Sequence, residues 1–352
     1  MPLDLTAPVV DITRQLVDIE SVSADEKSIA DAVEAALRPH AHLEILRDGD
    51  AIIARTNLGR ASRVVIAGHL DTVPVNNNLP SRTEDGVMWG RGTVDMKGGC
   101  AVMLKLAVDI PNPAVDVTWV FYDHEEVSSD LNGLGRVARN TPEVLEADFA
   151  VLCEPTGGEV EGGCNGTLRA DVRVTGKRAH SARAWMGVNA IHAIAPVLQQ
   201  LVDYTPREAD VDGLVYREGL NAVGIRGGVA GNVIPDECVV EVNYRFAPDR
   251  DAATAERHVR DVFAGFEVEV TDVAEGARPG LTDPLAEAFL AAVGGEARPK
   301  YGWTDVARFA ALGIPAVNYG PGDPSLAHAD DERVPLEQIE RCEAGLRAWL
   351  AS

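Results

Sequence analysis

Three apolar segments with the character of buried strands are each followed at once by side chains that can bind metal ions or transfer protons. The segments are Arg63–Gly68, Val115–Tyr122 and Ala147–Cys153. The residues after them are, in the same order, His69 with Asp71, Glu125 with Glu126, and Glu154. Ligands of open α/β sheets bind at the carboxyl ends of the strands, where these side chains are expected to meet. Imidazole and carboxylate groups gathered there would suit metal-dependent acid–base chemistry.

The first of these groups is a His-x-Asp pair. Residues two apart on a strand face the same side, so the carboxylate of Asp71 could hold one imidazole nitrogen of His69 while the other binds a metal ion. A histidine at the end of a strand is more often a packing or capping residue. This pair alone therefore does not establish a metal site.

The adjacent acids Glu125 and Glu126 are predicted to have different roles. Neighbouring side chains at a strand end point in different directions, so Glu126 could reach a metal ion while Glu125 faces a reacting water. Without other ligands nearby, the same two residues would be an ordinary solvated acidic loop.

Two further candidates lie in irregular segments. Asp95 follows a glycine-rich stretch and precedes a predicted apolar helix, Met96–Val108, so it could also be a helix cap. The stretch could suggest phosphate binding, but it matches neither the P-loop nor the dinucleotide motif. His328 ends a loop rich in glycine and proline, of the kind that often carries function. Two histidines and three carboxylates would suit two zinc ions that share one carboxylate, and spacing does not choose the shared one: His69, Asp95, Glu126, Glu154 and His328.

The elements around these residues predict an α/β protein with an insertion. Residues 1–165 and 274–352 are expected to form a mixed-sheet α/β catalytic domain. Residues 166–273 read as strand, helix, strand, strand, helix, strand, which is the split arrangement of a separate α+β domain with an antiparallel sheet. Ser23 and Glu26 have the spacing of a capping box at the start of the second helix.

Composition limits the class of protein. The chain has 352 residues, 46% of them hydrophobic, and a formal net charge of −23, which argues against nucleic acid or an anionic membrane as a partner. The five cysteines are scattered and include no C-x-x-C pair, so any metal site should use histidine and carboxylate. We see no signal peptide and no segment that could span a bilayer, and we expect a cytoplasmic protein.

Seven sequence blocks, in order over nearly the whole chain, resemble the M20 family of metallopeptidases and deacylases. They are His69-Leu-Asp-Thr-Val-Pro, Gly90-Arg-Gly-Thr-Val-Asp-Met-Lys-Gly-Gly, Glu125-Glu126, Glu154-Pro-Thr, Gly187-Val-Asn-Ala, Gly231-Asn-Val-Ile-Pro and His328. Two departures are His124 before the paired glutamates and Ala184 after the basic segment 176–183. Neither removes an expected metal ligand.

The resemblance implies a role for each candidate ligand. Two zinc ions are expected, with cobalt or manganese as substitutes. Asp95 would bridge them, His69 and Glu154 would complete the shell of one ion, and Glu126 and His328 would complete that of the other. Asp71 would orient His69. Glu125 would be the general base that takes a proton from water and passes it to the departing amine.

The resemblance also implies that the inserted domain forms a homodimer and acts as a lid. His180 and Asn232 would reach the partner's active site and stabilise the oxyanion. Arg245 would bind a substrate carboxylate. Because the whole protein is acidic, local cations must attract an anionic substrate. The other residues expected to contact the substrate are Arg178, Arg183, Thr167 and Thr304.

The C-terminal motifs Gly302-Trp-Thr-Asp-Val-Ala-Arg-Phe and Gly320-Pro-Gly-Asp-Pro resemble family members that act on succinylated diaminopimelate. The expected reaction is hydrolysis of N-succinyl-LL-2,6-diaminopimelate to succinate and LL-2,6-diaminopimelate in lysine biosynthesis. One alternative is the same chemistry on another N-acyl amino acid or a dipeptide, for example N-acetylornithine. A more distant alternative is a non-catalytic binding protein on this fold, which is disfavoured because the base and all expected ligands are present.

Overall fold

The computed structural model describes residues 2–352 of the chain. Its strands are β1 (Glu44–Asp48), β2 (Ala51–Arg55), β3 (Arg63–His69), β4 (Arg82–Glu84), β5 (Val87–Trp89), β6 (Asp116–Tyr122), β7 (Phe149–Leu152), β8 (Glu161–Gly162), β9 (Gly166–Thr175), β10 (Ala179–His180), β11 (Glu208–Val211), β12 (Leu214–Arg217), β13 (Gly219–Gly227), β14 (Val233–Ile234), β15 (Glu237–Phe246), β16 (Glu267–Ala274), β17 (Arg298–Pro299), β18 (Ala316–Asn318) and β19 (Arg333–Pro335). Its α-helices are α1 (Val9–Val17), α2 (Lys27–Leu37), α3 (Lys97–Asp109), α4 (Gly133–Asn140), α5 (Ala190–Ala193), α6 (Ala195–Asp203), α7 (Ala252–Val262), α8 (Pro284–Val293), α9 (Val306–Ala311) and α10 (Leu336–Leu350).

The first of two compact units contains the residues up to Gly162 together with Pro279–Arg298 and Arg308–Ser352. Its main sheet has the strand order β1-β2-β6-β3-β7-β18-β8-β17. The central strands β6, β3, β7 and β18 run parallel to one another, whereas β1, β2 and β8 pair antiparallel. Every residue of β6 is buried, as is every residue of β3 except Arg63. Burial on both faces explains why these strands read as continuous apolar runs.

Helix α3 packs against α1, α10 and β3. A Cβ atom on Gly99 would lie 2.3 Å from the backbone oxygen of Cys153. The missing side chain therefore lets the first turn of α3 rest on the chain immediately after β7. This close approach positions the segment that contains Asp95, just before α3, beside the carboxyl ends of the central strands.

The predicted capping box at α2 is wrong. Helix α2 has no side-chain cap. The Ser23 hydroxyl instead donates to the Asp71 carboxylate at 2.7 Å, and the Glu26 carboxylate accepts the backbone N–H groups of Ala24 and His124. The tertiary contacts of Ser23 with Asp71 and of Glu26 with His124 take the place of the reciprocal contacts that the spacing suggested.

The second unit contains Gly163–Arg278 and Pro299–Ala307. Its four-stranded antiparallel sheet has the order β13-β15-β9-β16, and a hydrophobic core joins this sheet to α5, α6 and α7. The predicted alternation of strands and helices is confirmed, and a hairpin of β11 and β12 is an addition that the sequence pattern did not reveal. That residues 166–273 form a separate domain stays a prediction. Within residues 2–352, no helix combines the length and apolar character that crossing a membrane would require.

Candidate metal centre

The parallel strands bring three predicted site segments to one edge of the sheet. His69 is the last residue of β3 and pairs with Tyr122, the last residue of β6. On its other side, β3 pairs with β7 up to Ala67 and Leu152. His69 and Glu154 each lie two residues beyond that pair. Glu154 is 6% exposed. The sheet edge thus carries His69, Glu154 and, just after Tyr122, the two glutamates.

Asp95 lies between the two candidate histidines. Its Oδ1 atom is 3.0 Å from Nε2 of His69, and its Oδ2 atom is 3.4 Å from Nε2 of His328. Nε2 of His328 also lies 2.9 Å from Oε1 of Glu126. His69, Asp95 and Glu126 offer ligand atoms that all lie within 4.8 Å of one another. Each oxygen of one carboxylate therefore faces a different imidazole, as a shared ligand would.

Asp71 holds both His69 and the paired glutamates. Nδ1 of His69 lies 3.0 Å from the backbone oxygen of Asp71 and 3.5 Å from its carboxylate, so the backbone is the nearer partner. The carboxylate of Asp71 accepts the backbone N–H groups of Glu125 at 3.0 Å and Glu126 at 3.1 Å. Burial would raise the pKa of Asp71, but the hydrogen bonds from His69, Ser23 and Glu125 outweigh it and lower the pKa to about 2.

The carboxylates create an environment that strongly favours positive charge. Burial opposes ionisation of Asp95, yet the neighbouring His328 and His69 hold its pKa well below the usual range. The Asp95 and Glu126 carboxylates, which accept hydrogen bonds from the His328 imidazole, raise its pKa to about 10. Burial lowers the pKa of His69, but Asp71 and Asp95 raise it well above its ordinary value.

The donor set fits zinc. Imidazole nitrogens and carboxylate oxygens are its usual ligands besides thiolates, and all five cysteines are buried free thiols that the site would not need. A divalent cation and protons compete for the same nitrogen and oxygen atoms, so a site that stabilises imidazolium charge also attracts metal ions.

The glycine-rich loop before Asp95 binds an anion, but that anion is a side chain of the protein. The Glu332 carboxylate accepts the backbone N–H groups of Gly92, Val94 and Asp95 and one N–H of the Arg91 guanidinium. Glu332 therefore occupies the N–H groups of this loop, which agrees with the absence of a phosphate-binding motif. Sequence reasoning missed Glu332 and Arg91, and no local pattern marks them because Glu332 lies 237 or more residues from each of these donors.

His124, which departs from the family pattern, belongs to a second, partly buried cluster. Its Nδ1 atom lies 2.7 Å from the Asp123 carboxylate, which also accepts two hydrogen bonds from Arg136. His124 has φ of 59°, a conformation that histidine tolerates better than most residues. The His124 side chain therefore binds Asp123, while the backbone N–H groups of Glu125 and Glu126 bind Asp71.

The other predicted site residues belong to the second unit. His180 and Asn232 are neighbours there, since β10 pairs with β14 and the Ser181 N–H donates to the Asn232 oxygen. Arg245 donates to the Asn243 side chain, and burial and Arg169 lower its pKa. The remaining residues are Thr167, which accepts a hydrogen bond from Asn243, Arg178, which pairs with Asp236 at 2.8 Å, the exposed Arg183, and the buried Thr304. Their predicted roles in substrate binding stay predictions.

Comparison with known sequences agrees with the family resemblance. The model of peptidase family M20/M25/M40 matches residues 65–352. A succinyl-diaminopimelate desuccinylase of Corynebacterium glutamicum is 49% identical over 360 residues, with 99% of this chain and 98% of the relative covered. A Mycobacterium tuberculosis protein, DapE, to which the same activity is provisionally assigned, is 57% identical over 351 residues, with 99% of both chains covered.

Solved structures have the same fold. A tripeptidase from Staphylococcus aureus superposes with a TM-score of 0.81 at 22% identity, with 99% of this chain and 98% of the other covered. YXEP of Bacillus subtilis, a dinuclear metal-binding peptidase, gives a TM-score of 0.70 at 16% identity, with 97% and 96% covered. The predicted α/β fold with a smaller antiparallel unit is confirmed. From the family model and the full-length relatives together, we conclude that this chain belongs to the M20 family of metallopeptidases.

Proposed function

We propose that this chain is a metal-dependent amidohydrolase that converts N-succinyl-LL-2,6-diaminopimelate and water into succinate and LL-2,6-diaminopimelate. The observation that carries the proposal is the full-length identity of 49% to the C. glutamicum desuccinylase. The identity of 57% to the M. tuberculosis protein supports it. The predicted enzyme class agrees with these relatives. The predicted place in lysine biosynthesis and the five free cysteines support a reducing, cytoplasmic location.

Two zinc ions would be held by two imidazoles and three carboxylates. His69 and Glu154 would bind one ion, His328 and Glu126 would bind the other, and Asp95 would bind both. What supports this division is the position of the Asp95 carboxylate between the two Nε2 atoms. When bound, zinc acts as a Lewis acid and lowers the pKa of water at the site. Cobalt and manganese are proposed substitutes.

Glu125 would be the general base. Its backbone N–H donates to Asp71, and the side chain of the next residue, Glu126, lies 2.9 Å from His328. One anchored turn therefore presents two carboxylates for different tasks. Glu125 would accept a proton from the attacking water and deliver it to the amine nitrogen, so that the amide C–N bond breaks after the new C–O bond has formed.

A homodimer through the second unit is the proposed assembly. Its strand β13 is at the edge of the sheet, and an unpaired edge is a template for pairing with another chain. Helix α6 packs beside this strand. Exposed apolar side chains lie on both elements: Val202 on α6, with Val223 and Ile225 on β13. Two copies that meet through this face would bury these side chains around a two-fold axis.

In this dimer, His180 and Asn232 of the partner subunit would stabilise the oxyanion of each active site. Arg245 would bind a substrate carboxylate, and Arg178, Arg183, Thr167 and Thr304 would complete the binding of an anionic N-acyl amino acid. Arginine suits this task because its guanidinium forms paired hydrogen bonds with carboxylates.

The substrate is tested by hydrolysis assays of the zinc-loaded protein with N-succinyl-LL-2,6-diaminopimelate, N-acetylornithine and a dipeptide, each with and without a chelator. We expect a strong preference for the succinylated substrate and loss of activity with the chelator. Chelator-sensitive activity confined to the acetylated substrate or the dipeptide would refute the substrate while leaving the metal centre. Substrate binding without hydrolysis, unchanged by Glu125→Gln, would favour the binding-protein alternative.

The dimer is tested by mixing two inactive variants, His180→Ala and Glu125→Gln. In a mixed dimer, the site that keeps Glu125 would receive the intact His180 of the partner subunit. Random exchange of subunits should therefore restore about a quarter of wild-type activity, because half of the dimers are mixed and each has one complete site. Sedimentation should show a dimer that Val202→Asp converts to a monomer. No recovery of activity in exchanged dimers would refute the role of His180 across the interface.

A further inference from the structure

The Glu332 carboxylate is saturated with hydrogen-bond donors. Its Oε2 atom accepts from Arg91 Nη1 at 2.8 Å and from the Gly92 N–H at 3.0 Å. Its Oε1 atom accepts from the N–H groups of Val94 at 2.9 Å and Asp95 at 3.1 Å. A carboxylate has about four lone-pair positions, and here all four are used. Glu332 and Arg91 are 1% and 3% exposed, so water cannot replace these bonds.

The same pair joins the two segments that carry Asp95 and His328. Glu332 comes four residues after His328, on the loop between β18 and β19, and its backbone oxygen accepts the Gly90 N–H at 3.0 Å. The Arg91 guanidinium donates to the backbone oxygens of Ala329 at 3.1 Å and His328 at 3.4 Å. Contacts therefore run in both directions between the loop before α3 and the loop of His328.

We propose that the buried Glu332–Arg91 pair is a positioning device that sets the spacing between Asp95 and His328, and thereby the affinity for the ion held by Asp95, Glu126 and His328. Neither residue needs to touch the ion. Glu332 acts on Asp95 through its backbone N–H, and Arg91 acts on His328 through its backbone oxygen. This inference rests on the proposed two-metal centre.

The variant that isolates this role is Glu332→Gln. The amide keeps the shape of the side chain but replaces one acceptor oxygen with an NH₂ group that faces existing donors. At least two of the four hydrogen bonds are lost. The ligand side chains of Asp95 and His328 are themselves unchanged. Loss of such supporting bonds typically weakens metal binding about ten- to a hundred-fold. His69 is held separately by Asp71, so its ion should be affected less.

Asp116→Asn is the matched control. The Asp116 carboxylate also anchors a loop, accepting the N–H groups of Leu58 and Arg60 and the Thr56 hydroxyl at 2.8–3.0 Å. It lies at the first residue of β6, the opposite end of that strand from the candidate site. The Asp116→Asn substitution should lower the stability of the protein without changing its metal affinities. Arg91→Gln provides a second test in case Glu332→Gln does not fold.

The experiment is a titration of each metal-free protein with Co²⁺, followed by absorption spectroscopy and calorimetry, with zinc affinities from chelator competition. Wild type and Asp116→Asn should bind two ions with the same affinities. Glu332→Gln should weaken one binding step about ten- to a hundred-fold and change the other by less than about three-fold, and Arg91→Gln should act in the same direction. If wild type binds two ions but Glu332→Gln loses affinity equally at both steps, or loses none, the inference is overturned and the two-metal proposal stands. A wild type that binds one ion would overturn the two-metal proposal as well.

Discussion

The two histidines of the candidate metal centre are held in opposite ways. His69 ends a buried parallel strand, and its side chain is 1% exposed between Asp71 and Asp95. His328 lies on an irregular loop with φ of 65°, and its side chain is 54% exposed. We call His69, Asp71 and Glu154 the sheet-held half of the centre and His328 and Glu126 the loop-held half, with Asp95 shared between them.

The candidate centre thus combines two sources of rigidity. In the sheet-held half, ladder hydrogen bonds between β3, β6 and β7 fix the ligand backbone, so formation of the sheet itself positions these residues. In the loop-held half, the ligand backbone is fixed by a buried ion pair and by side chains that bind backbone groups. The first source is spread over the ladder of β3, β6 and β7, whereas the second depends on a few polar residues.

The largest expected effect concerns Glu125, which should serve both halves and hold neither ion. Glu125→Gln should lower kcat about 10²- to 10⁴-fold, the usual contribution of a general base, and leave both metal affinities unchanged. The measurements are steady-state kinetics and metal content after dialysis. Glu126→Gln is the matched variant, which should weaken metal binding in the loop-held half. Normal turnover by Glu125→Gln, or loss of a metal ion from it, would contradict the assignment of Glu125 as base.

A smaller effect should appear in the stability of the metal-free protein. His69→Asn leaves Asp71 and Asp95 buried without their cationic partner, and breaking a buried pair costs about 3–5 kcal/mol. His328→Asn removes a half-exposed partner, and such pairs contribute at most about 1 kcal/mol. Urea unfolding of the chelator-treated variants measures both free energies. Equal destabilisation by the two variants would contradict this expectation, because burial would then not distinguish the two halves.

The position of the strand-end residues could be predicted from the sequence because the signals are local. Apolar runs reveal buried strands, and parallel strands bring their carboxyl ends together, so His69, Glu125, Glu126 and Glu154 could be assigned to one edge. The alternating pattern after Gly166 likewise predicted the antiparallel unit. The bridging role proposed for Asp95 could not be chosen from spacing, because that choice depends on where the loop of His328 returns.

The contacts of the loop-held half could not be predicted, because they join residues far apart in the chain. Glu332 reads as one acid in an acidic segment, and only the folded chain shows it enclosed by four donors. Ser23 shows the opposite error. Its spacing to Glu26 suggested a capping box, but the buried Asp71 carboxylate competes for the hydroxyl. An unsatisfied buried charge costs more than an uncapped exposed helix end, so the tertiary contact prevails.

The smallest expected effect tests whether the sheet-held half has a supporting residue of its own. Ser23 donates to the Asp71 carboxylate at 2.7 Å, and that carboxylate lies 3.5 Å from Nδ1 of His69. Ser23→Ala should lower the affinity for the ion held by His69 about ten-fold, which is the lower end of the range for loss of a supporting hydrogen bond. The affinity for the ion of the loop-held half should not change. Co²⁺ titration measures both steps.

Ser21→Ala is the matched control for this last test. The buried Ser21 hydroxyl donates to the Leu70 backbone oxygen at 2.7 Å, in the same segment but without a bond to Asp71. It should lower stability by about 1 kcal/mol, as for one lost hydrogen bond, and keep both metal affinities. If both serine variants weakened metal binding equally, packing of the segment, and not the hydrogen bond to Asp71, would hold His69. The sheet-held half would then differ from the loop-held half in needing no supporting polar residue, because strand geometry and burial alone would position His69.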